Sequence, residues 1–238
     1  LLLFGIKDRE GLCITFLDVG QGDCVCIELP DGGVWLYDGG STSVSGVGTY
    51  RIEPFLKSKG ITRLDAVFVS HADEDHMNGV EELLREGSTE IALLGLPCTE
   101  AQKDGFAGLL ALARERQIPV LWLEAGMEWQ SGEVSMGCLH PDRAFGWNDT
   151  NAASAVLSLS YGSFSMLLSG DVEGKGEEAL LRQLQSEGIE KLSVLKVAHH
   201  GSRYATGEAV LEYTIPQFAI ISAGQNNGYG HPHKDLLA

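Results

Sequence analysis

The sequence LDAVFVSHADEDH, residues 64–76, joins an apolar run directly to a dense group of ionisable side chains. The first seven residues have the length and the apolar content of a buried strand. The next six contain two imidazoles and three carboxylates, which are common metal ligands in proteins. A buried strand that ends in such a group predicts a metal site presented from its carboxyl end.

The composition is that of one acidic, globular domain. Of the 238 residues 44% are hydrophobic, and 17 basic against 33 acidic side chains give a net charge of −16. We expect one domain over residues 1–238, because no low-complexity segment or Pro-rich linker divides the chain. The acidic excess repels polyanions and counts against strong nucleic-acid binding by this chain alone.

Two further features concern the context of the chain. No apolar run approaches the roughly 18 to 20 residues that span a bilayer, so we expect no membrane insertion by this segment. The sequence has no initiator Met and stops at DLLA, residues 235–238, just after a predicted helix start. We therefore expect a domain excised from a longer protein.

Hydrophobic patterns predict strands and helices in alternation. Strands are predicted at 12–18, 23–29, 33–37, 64–70, 90–95, 119–123, 152–160, 163–169, 192–197 and 217–222. Helices are predicted at 49–59, 77–86, 99–117, 176–187 and 206–213. This order predicts an α/β fold of mixed sheets with helices packed outside.

Four of the predicted strands end abruptly in polar residues. These are Asp38 in YDGG, the group at 71–76, Asp171 in LSGD, and His199 with His200 in VAHHGS. Separate strands that deliver Asp and His to one edge build a rigid metal site. Each has an ordinary alternative: a turn for Asp38, a helix N-cap for Asp171 and a solvated loop for the histidine pair. For the group at 71–76 the alternative, a charged loop that caps the next helix, is the weaker explanation.

Four segments together resemble the metallo-β-lactamase superfamily, and more narrowly its ComEC-type branch. They are FLDVGQGD (16–23), SHADEDH (70–76), LLSGD (167–171) and KVAHHGS (196–202). The resemblance spans nearly the whole chain and implies a four-layer αββα sandwich, with two mixed sheets and the helices outside. The ComEC-type branch is the C-terminal domain of a bacterial DNA-uptake protein, so the resemblance also implies a longer membrane protein.

The resemblance implies roles for individual residues. His71 and Asp73 would bind one metal ion, Asp75 and His76 would serve a second, and Asp171 would bridge the two. His199 is the leading candidate for the late histidine ligand, and His200 is the second. Asp38 would orient ligands without binding metal itself.

Two departures from the usual HxHxDH pattern bear on the metal. Asp73 stands where most members have His, and NDTNAAS (148–154) lies where a middle histidine ligand is usual. His140, the one histidine in that region, is predicted to end a strand. A carboxylate in place of an imidazole favours Mn²⁺ or Mg²⁺ relative to Zn²⁺. We predict one or two ions of Mn²⁺ or Zn²⁺.

The implied activity is metal-dependent hydrolysis of a phosphodiester, namely single-stranded DNA during DNA uptake. Asp75 is expected to bind or orient the attacking water, and His231 to support catalysis at the phosphate. Arg203 and Tyr204 would offer a nucleotide one charge and one stacking surface. His231 is explained equally well as the cap of a terminal helix that starts at Pro232.

Two other functions stay open at this point. A hydrolase of a lactam, lactone or thioester would have the same fold, and the acidic balance favours it. A non-catalytic domain that binds DNA or a partner is consistent with the missing middle histidine. The membrane channel portion of the same protein is the expected partner, and these residues leave open whether the domain lies on the extracytoplasmic or the cytoplasmic side.

Overall fold

The computed structural model describes residues 11–146 and 149–237. Its strands are β1 (Cys13–Phe16), β2 (Val25–Glu28), β3 (Val34–Tyr37), β4 (Arg63–Leu64), β5 (Ala66–Phe68), β6 (Glu90–Ile91), β7 (Leu94–Pro97), β8 (Val120–Leu123), β9 (Glu128–Ser131), β10 (Val134–His140), β11 (Val156–Tyr161), β12 (Phe164–Leu168), β13 (Val194–Lys196) and β14 (Phe218–Ile220). Its α-helices are α1 (Glu53–Ser58), α2 (Glu74–Glu86), α3 (Ala107–Glu115), α4 (Gly174–Glu187) and α5 (Glu208–Thr214).

Within the described residues, twelve of these fourteen strands form two large mixed sheets, and β4 and β6 pair with each other in a separate parallel ribbon. The first has the order β1-β2-β3-β5-β7-β8, and the second has the order β14-β13-β12-β11-β10-β9. In the first sheet β1 to β3 pair antiparallel, whereas β3, β5, β7 and β8 run parallel. In the second sheet β9 to β12 pair antiparallel, and β12, β13 and β14 run parallel. The parallel strands of each sheet therefore end at a common edge, where the loops that follow them meet.

In the part of the chain that the structure describes, three apolar cores lie between four layers of structure. Because successive side chains of a strand point to opposite faces, Leu36 packs toward the helices α1 to α3 while Trp35 packs between the sheets. Leu167 and Leu168 divide in the same way, with Leu167 facing the core that includes Leu180 of α4. Both sheets thus bury both faces, and the predicted αββα sandwich is confirmed.

Several predicted elements differ in detail from those observed. The helix predicted at 49–59 starts as a π-helical turn, Gly48–Ile52, and continues as α1. The helix predicted at 99–117 is broken into a 3₁₀ turn, Glu100–Gln102, and α3. Neither β9 nor β10 was among the strands predicted from sequence, although His140 was expected to end a strand; the residues of β9 are at most partly buried and show a weak apolar pattern.

The predicted C-terminal helix is wrong, because residues 231–237 form turns and irregular structure. His231 is consequently not a helix cap. Within the part of the chain that the structure describes, no helix has the length and apolar character needed to cross a bilayer.

Candidate metal centre

Loops from both sheets carry ionisable side chains to the common edge. Asp38 follows β3, and the segment after β5 carries His71 and leads into the first turn of α2, which holds Asp75 and His76. In the second sheet Asp171 follows β12, and His199 and His200 follow β13. The residues that the sequence analysis placed at four strand ends are therefore brought to one place.

Asp171 lies at the centre of this group. Its Oδ1 is 3.2 Å from His76 Nε2, and its Oδ2 is 3.5 Å from His200 Nε2 and 3.9 Å from His71 Nε2. Asp75 Oδ2 lies 3.3 Å from the same His200 Nε2. All three imidazoles and Asp171 are buried. Three Nε2 atoms and two carboxylates thus converge from both sheets.

Hydrogen bonds on the opposite side of each ring fix the histidines. Asp38 Oδ2 lies 2.9 Å from His76 Nδ1, and His200 Nδ1 donates to the carbonyl of Ser222 at 2.9 Å. Ser70 Oγ donates to Asp38 Oδ2 and therefore accepts from His71 Nδ1 at 3.0 Å. A proton on each Nδ1 leaves Nε2 with its lone pair, which is the form that binds a metal ion.

The potential ligand atoms at the centre of the site make no hydrogen bonds within the described residues. The Nε2 atoms of His71, His76 and His200 and the Oδ1 atom of Asp171 are buried and have no hydrogen-bond partner among them. Buried polar atoms are nearly always satisfied, so four unpaired ones at a single place call for an explanation. Imidazole nitrogen and carboxylate oxygen are ligands of Zn²⁺ and Mn²⁺, and the residues present fit a divalent metal ion.

The electrostatics of the apo site agree with this interpretation. Burial alone would lower the pKa of His76, but the carboxylates of Asp171 and Asp38 raise it well above its ordinary value. Burial likewise opposes the charge of Asp171, yet His76 and His200 hold its pKa well below the usual range. The carboxylates around these imidazoles therefore favour positive charge at this place, whether a proton or a metal ion carries it.

Asp73 and the histidine pair occupy different surroundings. Asp73 precedes α2 with a half-exposed side chain, and its Oδ2 lies 3.6 Å from His71 Nε2. His200 is buried and faces both Asp75 and Asp171. His199 is partly exposed, pairs with Glu173 Oε2 through Nδ1 at 2.8 Å, and keeps Nε2 3.8 Å from Asp171 Oδ2. As a candidate metal ligand, His200 is therefore better placed than His199. This order is the reverse of the one expected from sequence.

The expected substrate residues lie at the rim. His231 is partly exposed, with its ring 5.4 Å from that of His199, and burial and the neighbouring His199 lower its pKa to about 4. Tyr204 is exposed, whereas the guanidinium of Arg203 is held by Asp235 at 3.2 Å. Arg203 therefore takes part in an exposed ion pair, which a phosphate group would replace at little cost.

The loop at the expected middle-ligand position contributes no histidine. Asn148 lies outside the described residues. His140 ends β10 as predicted, and its Nε2 donates to the carbonyl of Ala152 at 2.8 Å. Ser154 Oγ instead accepts from the backbone N–H of Asp171 at 3.3 Å, so this loop supports the loop that carries Asp171.

No role at the site was predicted for Asp23 or Lys196, nor for Ser70 and Glu173. Asp23 is completely buried and, with His76, Asp171 and His200, forms a group whose potential ligand atoms all lie within 4.8 Å of one another. Lys196 Nζ lies 2.6 Å from Asp23 Oδ2. Both residues belong to segments that carried the family resemblance, which was the available signal for Asp23. A lysine at the end of a buried strand gives no sign of its partner.

Close backbone contacts require glycine at Gly22 and Gly40, near Asp23 and Asp38. A Cβ on Gly22 would overlap the carbonyl oxygen of Gly40, and one on Gly40 would overlap the backbone of Asp75. The backbones at the start of α2 and of both loops therefore touch directly. This contact places Asp75 and His76 against the first sheet without an intervening side chain.

The fold and this site together define a class, the αββα-sandwich domains with a candidate metal centre at the common sheet edge. A family model described as metallo-beta-lactamase superfamily matches residues 17–224. ComE operon protein 3 of Bacillus subtilis is 33% identical, over 100% of this chain and 31% of that protein. Competence protein ComA of Neisseria gonorrhoeae is 28% identical, over 92% of this chain and 28% of that protein.

A solved structure agrees with the fold. The metallo-beta-lactamase fold protein YhfI from Bacillus subtilis has a TM-score of 0.58 and 12% identity, with 94% of this chain and 92% of that chain covered. The chain belongs to the metallo-beta-lactamase superfamily, and its matches to competence proteins confirm the ComEC-type branch. It spans less than a third of the length of those curated relatives.

Proposed function

We propose that the chain is a metal-dependent phosphodiesterase that degrades single-stranded DNA during DNA uptake. The observation that carries this proposal is the convergence of three buried imidazole Nε2 atoms on Asp171. The likeness to a competence protein over 92% of the chain supports DNA as the substrate. The chain spans less than a third of such relatives, and its proposed partner is the membrane channel portion that the family resemblance implies.

One metal ion would be held by Asp75, His76, Asp171 and His200. A second ion, if bound, would use His71 and Asp73 and share Asp171. A divalent metal ion at this place supplies Lewis-acid chemistry, which acidifies water and offsets the negative charge of a phosphodiester. Mn²⁺ and Zn²⁺ are the proposed ions, and the carboxylate of Asp73 favours the harder Mn²⁺.

We assign the other roles in catalysis and substrate binding to side chains around the metal site. Asp75, whose Oδ2 lies 3.3 Å from His200 Nε2, would bind or orient the attacking water. Asp38 and Ser70 hold His76 and His71 in the required tautomers. His199, paired with Glu173, and His231 form the rim of the site, where we place the scissile phosphate. The exposed ring of Tyr204 would stack on a base.

The charge of the chain supports a second candidate, a hydrolase of a small lactam, lactone or thioester. The net charge is −16, and Arg203 at the rim is already paired with Asp235. A polyanion would therefore be repelled unless the metal ions or the rest of the longer protein offset this charge. A small substrate would not meet that repulsion.

One comparison of substrates separates these functions. Purified protein is loaded with Mn²⁺ or Zn²⁺ and given labelled single-stranded DNA, nitrocefin and simple esters. We expect Mn²⁺-dependent cleavage of the DNA, which Asp171→Ala abolishes and Asp104→Ala, at an exposed position, leaves intact. Turnover of only the small substrates would support the second candidate. If no substrate were cleaved with either metal, a non-catalytic DNA- or partner-binding domain would be the better interpretation.

A further inference from the structure

Lys196 is a completely buried cation beside the candidate metal centre. Its Nζ lies 2.6 Å from Asp23 Oδ2, and it donates to the carbonyl oxygens of Gly170 at 3.2 Å and Val197 at 3.4 Å. The Ser169 hydroxyl in turn donates to the carbonyl of Lys196. Lys196 is thus bound to the loop that carries Asp171. A buried ammonium of this kind is stable only with a close counter-charge, which Asp23 provides.

Asp23 lies in the loop between β1 and β2 of the first sheet. Its backbone N–H donates to the carbonyl of Asp75 at 3.0 Å, and its own carbonyl accepts from the Gly40 N–H at 3.1 Å. Asp23 is therefore fixed to the start of α2, which carries Asp75 and His76. The Asp23–Lys196 ion pair joins the loops that bring ligands from the two sheets.

Asp23 also lies on a particular side of the histidines. Its Oδ2 is 3.8 Å from His76 Nδ1 and 3.7 Å from His200 Nδ1. Those nitrogens are already bound by Asp38 and by the Ser222 carbonyl, while Asp171 faces the Nε2 atoms. Asp23 thus approaches both rings from the side away from Asp171.

From this geometry we infer that Asp23 and Lys196 form a neutral positioning pair behind the metal centre, in which Asp23 is the counter-charge of Lys196 and not a metal ligand. The inference rests on the metal site proposed above. The rival assignment is that Asp23 binds metal, since its Oδ1 has no hydrogen-bond partner among the described residues. The two assignments differ in what Lys196 does once Asp23 is removed.

The two assignments predict different metal affinities for the variants because Lys196 is positively charged. Burial opposes protonation, but Asp23 and Asp171 raise the pKa of Lys196 above its ordinary value, so the ammonium persists. Without Asp23 the ammonium is an unpaired positive charge that repels a metal ion nearby. Without both side chains that repulsion disappears. Replacing a buried ion pair by uncharged groups of similar volume is often neutral or stabilising, so the double variant is expected to fold.

The test measures metal affinity in wild type, Asp23→Asn, Lys196→Met and the double variant. Dissociation constants for Mn²⁺ and Zn²⁺ come from competition with a chromogenic chelator, and folding is followed by circular dichroism and thermal melting. We expect Asp23→Asn to bind metal about 10- to 100-fold more weakly, as for loss of other groups that support ligands. Lys196→Met should bind at least as tightly as wild type, and the double variant should recover most of the loss.

Tyr37→Phe provides the control for a general loosening of the two sheets. The Tyr37 hydroxyl donates to the Ala155 carbonyl at 2.8 Å, so this variant removes another buried link between the sheets. It is expected to lower the melting temperature without changing the metal dissociation constant. An equal loss of metal affinity in Tyr37→Phe and Asp23→Asn would overturn the inference.

The double variant alone separates the two assignments, even if Asp23→Asn does not fold. Affinity close to wild type supports the positioning pair, whereas binding about tenfold weaker or worse makes Asp23 a ligand and overturns the inference. Unchanged affinity in Asp23→Asn overturns it as well. A wild-type protein that binds neither metal would overturn the proposed function together with this inference, whereas a metal-binding wild type with a weakly binding double variant would overturn the inference alone.

Discussion

Asp38 Oδ2 lies 2.9 Å from His76 Nδ1, and both side chains are completely buried. Asp38 also accepts from the Ser70 backbone N–H at 2.7 Å and from the Ser70 hydroxyl at 2.8 Å. Each of these three groups therefore donates a hydrogen bond to the Asp38 carboxylate. It holds the proton of His76 on Nδ1 and turns Nε2 toward Asp171.

Asp38→Asn should weaken metal binding although it changes one atom. Asn tolerates the left-handed backbone of this position, where φ is 55°, so the loop is not strained. Its amide group would present a donor where His76 or Ser70 also donates, which favours the wrong tautomer of His76. We expect the Mn²⁺ dissociation constant to rise about 10- to 100-fold. Titration of the variant in parallel with the wild type checks this, and equal affinity would contradict the assigned role.

The two adjacent histidines should differ in their importance for metal binding. His199 and His200 have φ of 50° and 53°, so Asn is the matched replacement at both positions. His200→Asn removes a buried Nε2 that faces Asp75 and Asp171, and we expect it to lower metal affinity at least about tenfold. His199→Asn should retain the wild-type metal content by elemental analysis. The reverse result would restore the order that the sequence suggested.

Asp73 should determine which metal is preferred. Its Oδ2 is 3.6 Å from His71 Nε2, and its side chain is half exposed, so imidazole can replace it without repacking the core. Asp73→His exchanges an oxygen ligand for nitrogen and should shift preference from Mn²⁺ toward Zn²⁺. The ratio of the two dissociation constants measures this shift. Asp73→Asn serves as the control that keeps oxygen, and an unchanged ratio in Asp73→His would place Asp73 outside the metal shell.

His140 should make the metal-free protein less stable in acid. Burial lowers its pKa from 6.5 to about 4, so the unfolded chain binds more protons than the folded chain between these values. The free energy of unfolding should therefore fall as the pH drops from 6.5 toward 4, by about 3 kcal/mol from this residue. Above pH 6.5 the histidine is neutral in both states and contributes no pH dependence.

His140→Gln isolates that contribution. Glutamine keeps a donor for the Ala152 carbonyl, which His140 Nε2 contacts at 2.8 Å, but does not titrate. Urea unfolding at several pH values, in wild type and variant with chelator present, gives the difference. The variant should lose less stability between pH 6.5 and 4, and parallel pH profiles would show that His140 is protonated without penalty in the folded state.

The sequence by itself determined the layers and the ends of the strands. Consecutive apolar residues such as Trp35 and Leu36 specify two buried faces, because successive side chains of a strand point to opposite sides of the sheet. Asp38, His71 and Asp171 could be predicted as site residues since each follows such a strand directly. Local patterns of this kind need no knowledge of which strands become neighbours.

Only the tertiary structure decided which of these side chains face one another. His199 and His200 are adjacent in sequence, yet one pairs with Glu173 at the rim and the other is buried against Asp75 and Asp171. Asp23 lies in the β1–β2 loop of the first sheet and Lys196 ends β13 of the second, so they meet only when the two sheets pack together. The physical reason is that hydrophobic alternation acts along a strand, whereas a buried charge is stable only beside a partner that packing brings from elsewhere in the chain.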